Sequence, residues 1–139
     1  YFRLVEPDFT PMPVYHALAH YINNLEPTIY PGRHQATTWQ ITYDRRWETV
    51  ESSDALLSAH QCSQEAGATA TWHWQGRSLI LMPGRSTGVV QLLDETGRER
   101  EVAITDAPVR LAGALLPGRH HTTLTLVDGE LCIAALRVR

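Results

Sequence analysis

The chain holds 139 residues with a formal charge of −3, 43% of them apolar and 19% charged; this is the length of one ordinary domain, able to bury roughly two-thirds of its unfolded surface. Its 12 basic residues are all Arg, and only Arg45 and Arg46 are adjacent, so no basic footprint for a phosphate backbone forms and a nucleic-acid partner is not expected. No stretch approaches the roughly 18 to 20 apolar residues of a membrane span, and the opening Tyr1-Phe2-Arg3, without initiator Met or signal segment, predicts a start inside a longer protein or after processing.

Taken in order, Tyr1 to Val5 reads as the end of a strand and Glu6-Pro7-Asp8-Phe9 as a turn. Thr10 offers an N-cap oxygen, and Pro11 occupies a first helical position, where its missing N–H costs nothing. Val14, Ala17, Leu18, Tyr21 and Ile22 recur with helical period and form one apolar stripe, which Asn23 and Asn24 close. A helix of about a dozen residues is marginal alone; the stripe needs a partner that the sequence does not identify. Pro27, Pro31 and Gly32 mark residues 25–35 as a connector.

From residue 36 onward helical period disappears. Strands are predicted at Trp39–Tyr43, Trp47–Val50, Leu56–Cys62, Ala68–Gln75, Leu79–Met82, Gly88–Leu93, Glu101–Ile104, Val109–Leu111, His120–Val127 and Leu131–Val138. Turn pairs such as Ala66-Gly67, Pro83-Gly84, Thr96-Gly97 and Asp128-Gly129 separate them. Many short strands at about ten-residue spacing predict an all-β antiparallel sandwich or barrel with one short N-terminal helix. The expected organisation is 1–24 as remnant or cap of a preceding domain, 25–35 as connector and 36–139 as the β-domain.

Alternation assigns faces. Ala68, Ala70, Trp72 and Trp74 share one side of their strand and Thr69, Thr71, His73 and Gln75 the other; two indoles make the first side the core. The same rhythm turns His120 and Thr122 inward with Leu124 and Leu126, so His120 and His121 point apart and cannot chelate together. Cys62 and Cys132 are open to two readings, one disulfide or two buried thiols acting as small hydrophobes.

Several segments are similar to known families. Gly67-Ala-Thr-Ala-Thr-Trp-His-Trp-Gln-Gly76, Leu79-Ile-Leu81, Gly88 to Asp94, Leu116-Pro-Gly-Arg-His120 and Cys132 to Val138 resemble the galactose-binding-like jelly-roll modules over about residues 36–139. The Asp94-Glu-Thr-Gly97 segment is slightly longer than the usual form. Tyr1 to Leu18 is similar to the last strand and helix of bacterial glycoside hydrolases with a (β/α)8 barrel. The resemblances imply a jelly-roll β-sandwich serving as non-catalytic accessory module of an extracellular or cell-envelope glycosidase. Its partner would be a carbohydrate or the neighbouring catalytic domain. The alternative is a structural module that packs on a catalytic barrel or self-assembles through the N-terminal helix. Many such modules carry a structural calcium on loop oxygens; no acidic cluster marks such a site here, and no cofactor is expected.

Candidate chemistry follows the same division. A glycosidase needs two ordered carboxyl groups across a sugar, and the acidic residues here fall in turns and on polar faces. His16 and His20 have metal-holding helical spacing, but Ala17 stands where a zinc protease would carry Glu, so they read as exposed helix residues. No Gly-x-Ser-x-Gly elbow occurs. Sugar binding asks for an open aromatic face beside polar groups. Trp72 and Trp74 read as core by alternation and Trp47 resembles a core position of the jelly-roll modules, so the platform candidates are Trp39 and Tyr43 with the charged turn Asp44-Arg45. The face bearing Thr69, Thr71 and His73 is a second candidate lining; core packing of the aromatics and a plain solvated face are the competing readings.

Overall fold

The computed structural model describes residues 12–53, 59–113 and 116–139. Helix α1 (Pro13–Asn24) precedes β1 (Thr28–Ile29), β2 (Gly32–Gln35), β3 (Ile41–Tyr43), β4 (Glu48–Glu51) and β5 (Ala59–Ser63). Then come β6 (Thr69–Gly76), β7 (Leu79–Pro83), β8 (Thr87–Asp94), β9 (Glu99–Ile104), β10 (Val109–Ala112) and the long β11 (Gly118–Val138). The helix begins at Pro13 with Met12 as its cap residue; the expected cap Thr10 and the initial strand lie outside the described residues. No helix among those described is long and apolar enough to cross a membrane.

Two sheets share β11. In the first, β3 and β1 lie along one side of β6, followed by the first half of β11, then β8 and β9. In the second, β4 pairs with β5; β5 and β2 flank one side of the second half of β11, and β7 followed by β10 lies on the other. All pairings are antiparallel except that of β1 with β6. The predicted turn at Asp128-Gly129 is instead an irregularity inside one continuous strand, with a register shift between Leu126 and Asp128. Gly129 has φ +87°, and a Cβ there would lie 2.2 Å from the carbonyl oxygen of Thr87. Only glycine lets the two backbones pass at that distance.

Both sheets bury one shared core, in which Trp72 and Trp74 meet Val90, Leu92, Leu124 and Leu126 of the first sheet and Leu79, Leu81, Ile133 and Leu136 of the second. Each indole is 1% exposed, as the alternation of β6 predicts. Trp74 donates from Nε1 to the Thr122 hydroxyl at 3.0 Å, which satisfies the polar atom an indole brings inside. Trp47 is also buried. The cysteines resolve to the first of their two readings: Cys62 and Cys132 form a disulfide between directly opposed positions of β5 and β11.

The stretch 25–35 is more than a connector. β1 adds to the edge of β6 and β2 to β11, and Ile29 is wholly buried. The period-two signal was too short to see there: β1 has two residues, and Pro27 and Pro31 bracket it. Of α1 no residue is buried, and its stripe residues Tyr21 and Ile22 are 64% and 62% exposed.

Candidate functional site

The outer face of the first sheet is built by β6 and its neighbours, because residues alternate with the buried indoles. Register aligns Thr42, Thr71, Thr123, Leu93 and Glu99 in one row across five strands. A parallel row holds Thr69, Thr125, Gln91 and Glu101, and a third sets Thr28 and His121 on either side of His73. Strand spacing places these groups about 5 Å apart across the sheet and about 7 Å along it, which is the scale of a pyranose ring. The Thr71 and Thr123 hydroxyls are 3.4 Å apart, and Gln91 donates to Glu99 at 2.8 Å.

One end of this face is wired together. Glu26 sits in the segment after α1 and lies 3.0 Å from His73 Nε2 through one carboxylate oxygen. Its other oxygen accepts from Arg119. Arg119 also donates to the Thr28 hydroxyl at 3.2 Å, and that hydroxyl donates to the Glu26 carbonyl at 3.1 Å. The His73 and His121 rings pack at 4.6 Å between centroids. From Thr28 the network continues outward, since Gln40 Nε2 donates to its carbonyl at 2.7 Å and Thr38 donates to the Gln40 side chain at 2.8 Å. Between Thr38 and Gln40 stands Trp39, 67% exposed. The result is a bare indole on a turn whose flanking residues are hydrogen-bonded to the wired end of the polar lattice.

The remaining expected residues fall elsewhere. Tyr43 turns inward rather than forming a platform with Trp39: its hydroxyl donates to the Ala36 carbonyl at 2.8 Å and its ring packs on Trp47 at 5.1 Å. Burial pushes that hydroxyl far above the ordinary tyrosine range. Asp44 is a structural clamp, accepting the Arg46 N–H at 2.9 Å, the Thr69 N–H at 3.0 Å and the Thr69 hydroxyl at 3.2 Å. Burial opposes its ionisation, yet these bonds and the Arg46 guanidinium hold its carboxyl below the usual range. Thr69 is thereby tied to Asp44, while Thr71 and His73 stay on the lattice. Arg45 is exposed in the same turn. His120 is the hydrogen-bonded inward histidine the alternation predicts, with Glu95 at 2.7 Å, the Gly76 carbonyl at 3.2 Å and Trp74 against its ring.

Sequence reasoning did not single out Glu26, Thr28, Gln40, Arg119 or His121. Arg119 and His121 were within reach, because placing His120 inward turns both neighbours out. Glu26 carried no signal, since its partners are nearly 50 and more than 90 positions away. Among the described residues no group of three or more His, Cys, Asp or Glu side chains could hold a metal ion.

No family profile matches the sequence, and no curated protein matches it. Solved structures do. A family two carbohydrate esterase from Cellvibrio japonicus matches at TM-score 0.63 and 13% identity over 77% of this chain and 32% of that one. A family 6 carbohydrate-binding module matches at TM-score 0.59 and 10% identity, over 84% of this chain and 99% of the module. A family 35 carbohydrate-binding module from Cellvibrio japonicus matches at 0.53 and 13%, over 76% and 89%. The chain thus spans about a third of the esterase's length and nearly all of the family 6 module. At these identities the likeness establishes architecture alone: the sheets described above form a jelly-roll β-sandwich similar to that of the two carbohydrate-binding modules.

Proposed function

We propose that this chain is a non-catalytic glycan-binding module of a larger carbohydrate-active protein. The observation that carries the reading is Trp39, an indole 67% exposed on a turn fixed to the wired end of a threonine- and histidine-lined sheet face. A flat apolar ring buries the C–H face of a sugar, and polar groups at set spacing read its hydroxyls. Burying most of an indole on a ligand is worth several times what a rim hydrogen bond contributes. Trp39 is therefore the energetic anchor, with Thr71, His73, His121 and Thr123 setting orientation. The module acts by holding its parent near a polysaccharide, raising local concentration without chemistry.

The jelly-roll likeness to two carbohydrate-binding modules supports this reading, and so does the disulfide, which belongs to oxidising compartments and hence to an extracellular or envelope location. Affinity electrophoresis of the whole chain through gels containing xylan, mannan, β-glucan or galactan tests it. Retardation by at least one polysaccharide, lost in Trp39→Ala, is the expected result; equal mobility in every gel, or a Trp39→Ala band retarded like the original, would sink it.

A second role is favoured by one observation, the exposed stripe of Val14, Leu18, Tyr21 and Ile22 on α1. In this reading the stripe packs on the neighbouring catalytic domain or on another copy. Light scattering at micromolar concentration separates the two, because only self-assembly raises the mass of the isolated chain.

A further inference from the structure

A cavity of about 320 Å³ opens where the β8–β9 hairpin meets the end of β10, and none of Trp39, Thr71, His73, His121 or Thr123 lines it. Its floor is apolar, made by the edge of Trp74 with Leu92 and Leu111, all buried. Its rim is charged, with Arg98 and Arg100 beside Asp94 and Glu95. The volume is at the low end of ligand sites, so it suits one ring and not an oligomer.

The two signs at the rim are not equally free. Asp94 Oδ1 is occupied by the Thr96 N–H and hydroxyl and the Arg98 N–H, at 2.6–3.0 Å. Glu95 is engaged by His120 at 2.7 Å. Arg100 has no such engagement: it is opposite buried Leu92 in register, hence on the core side of β9, and makes no side-chain hydrogen bond or ion pair among the described residues. Val102 and Ile104 follow it inward with rising burial, so Arg100 is the position at which the core gives way to the cavity. Arg100 is itself exposed, at the mouth of the cavity, and an arginine there without a carboxylate is an unused bidentate donor. Thr122 adds a hydroxyl that already accepts from Trp74 and so directs its own proton elsewhere.

We propose that this cavity binds a small organic carboxylate built on a single ring, its ring on Leu92, Leu111 and the Trp74 edge and its carboxylate on the Arg100 fork, with Arg98 adding field. The ring is aromatic or a sugar acid; both offer an apolar face and a planar anion. The site stands apart from the glycan-binding face and does not rest on that reading.

Saturation-transfer NMR and calorimetric titration of the whole chain test it, with benzoate and galacturonate as probes and benzyl alcohol and methyl galactoside as neutral counterparts. Saturable binding of benzoate alone identifies an aromatic acid, of galacturonate alone a sugar acid, and of both a site dominated by the anion; each supports the proposal if the neutral counterparts bind at least about tenfold more weakly, the value of a charge-assisted fork. R100A should weaken binding by roughly tenfold or more and R100K by several-fold, while W39A leaves it unchanged. Added salt should weaken binding to the unaltered chain, a readout that needs no variant. No saturable binding by either carboxylate, equal binding of the neutral analogues, or full retention in a folded R100A protein would overturn it.

Discussion

The two halves of β11 are one strand in two environments. From His121 to Leu126 burial alternates strictly, with Thr122, Leu124 and Leu126 enclosed and their neighbours half open. From Leu131 to Val138 nearly everything is enclosed on both faces, including Leu131, Cys132, Ile133, Ala135, Leu136 and Val138. Both halves have strands on each side, so the difference lies in what covers the outer face. The first half keeps a face of Thr and His that water or a ligand can reach; the second spends both faces on packing and ties Cys132 to Cys62. The contrast teaches where specificity can reside, since a face without packing duty is free to carry recognition.

That contrast can be broken from the inside outward. Trp74→Ala, beneath the open half, should cost about 3–5 kcal/mol through lost burial and a cavity, read as a fall in the urea midpoint at constant slope. Replacing both cysteines, Cys62→Ser with Cys132→Ser, releases a link across 70 residues and should cost about 2–4 kcal/mol; reduction of the unaltered chain should reproduce the shift. Asp44→Asn keeps the shape of the clamp but loses charge-assisted bonds, a cost of about 1–2 kcal/mol at neutral pH. Because the folded state lowers the Asp44 pKa, that advantage is complete above the unfolded value of about 4 and disappears as pH falls through the lower folded value. Melts of both proteins should therefore converge as pH drops below about 4. Trp39→Ala should change stability by less than about 0.5 kcal/mol while removing polysaccharide retardation. A large loss of stability in Trp39→Ala would mean that the open indole is structural after all, and the distinction between the halves would lose its functional content.

The β6 strand was readable because Ala68 to Gln75 alternates without interruption and its large residues all fall on one side. The inward turn of His120 follows from the same logic, whereas the burial of Trp47 was implied by the resemblance to the jelly-roll modules. Tyr43 was harder: its partners Ala36 and Trp47 lie across a turn, and nothing in Trp-Gln-Ile-Thr-Tyr says that a phenol one strand from an exposed indole is enclosed. The Asp44 clamp depends on Thr69, 25 positions away, a pairing set by the adjacency of β3 and β6. β1 escaped because two residues between prolines carry no period, and with it went Glu26 and Thr28, which wire the end of the site. Local pattern revealed the lattice, and long-range adjacency completed it.

The bond between β5 and the second half of β11 has a mechanical consequence. Tension applied at the C-terminus meets β7 and β2 first, and the Arg139 carbonyl, held by the Arg77 and Ser78 N–H groups at 2.5 and 3.0 Å, resists the initial peel. Beyond that peel the load meets Cys132 and passes through the disulfide to Cys62, so residues 63–131, with β6, β8 and the open face among them, lie inside a covalent loop that carries no tension. Only reduction would let the pull reach Gly129.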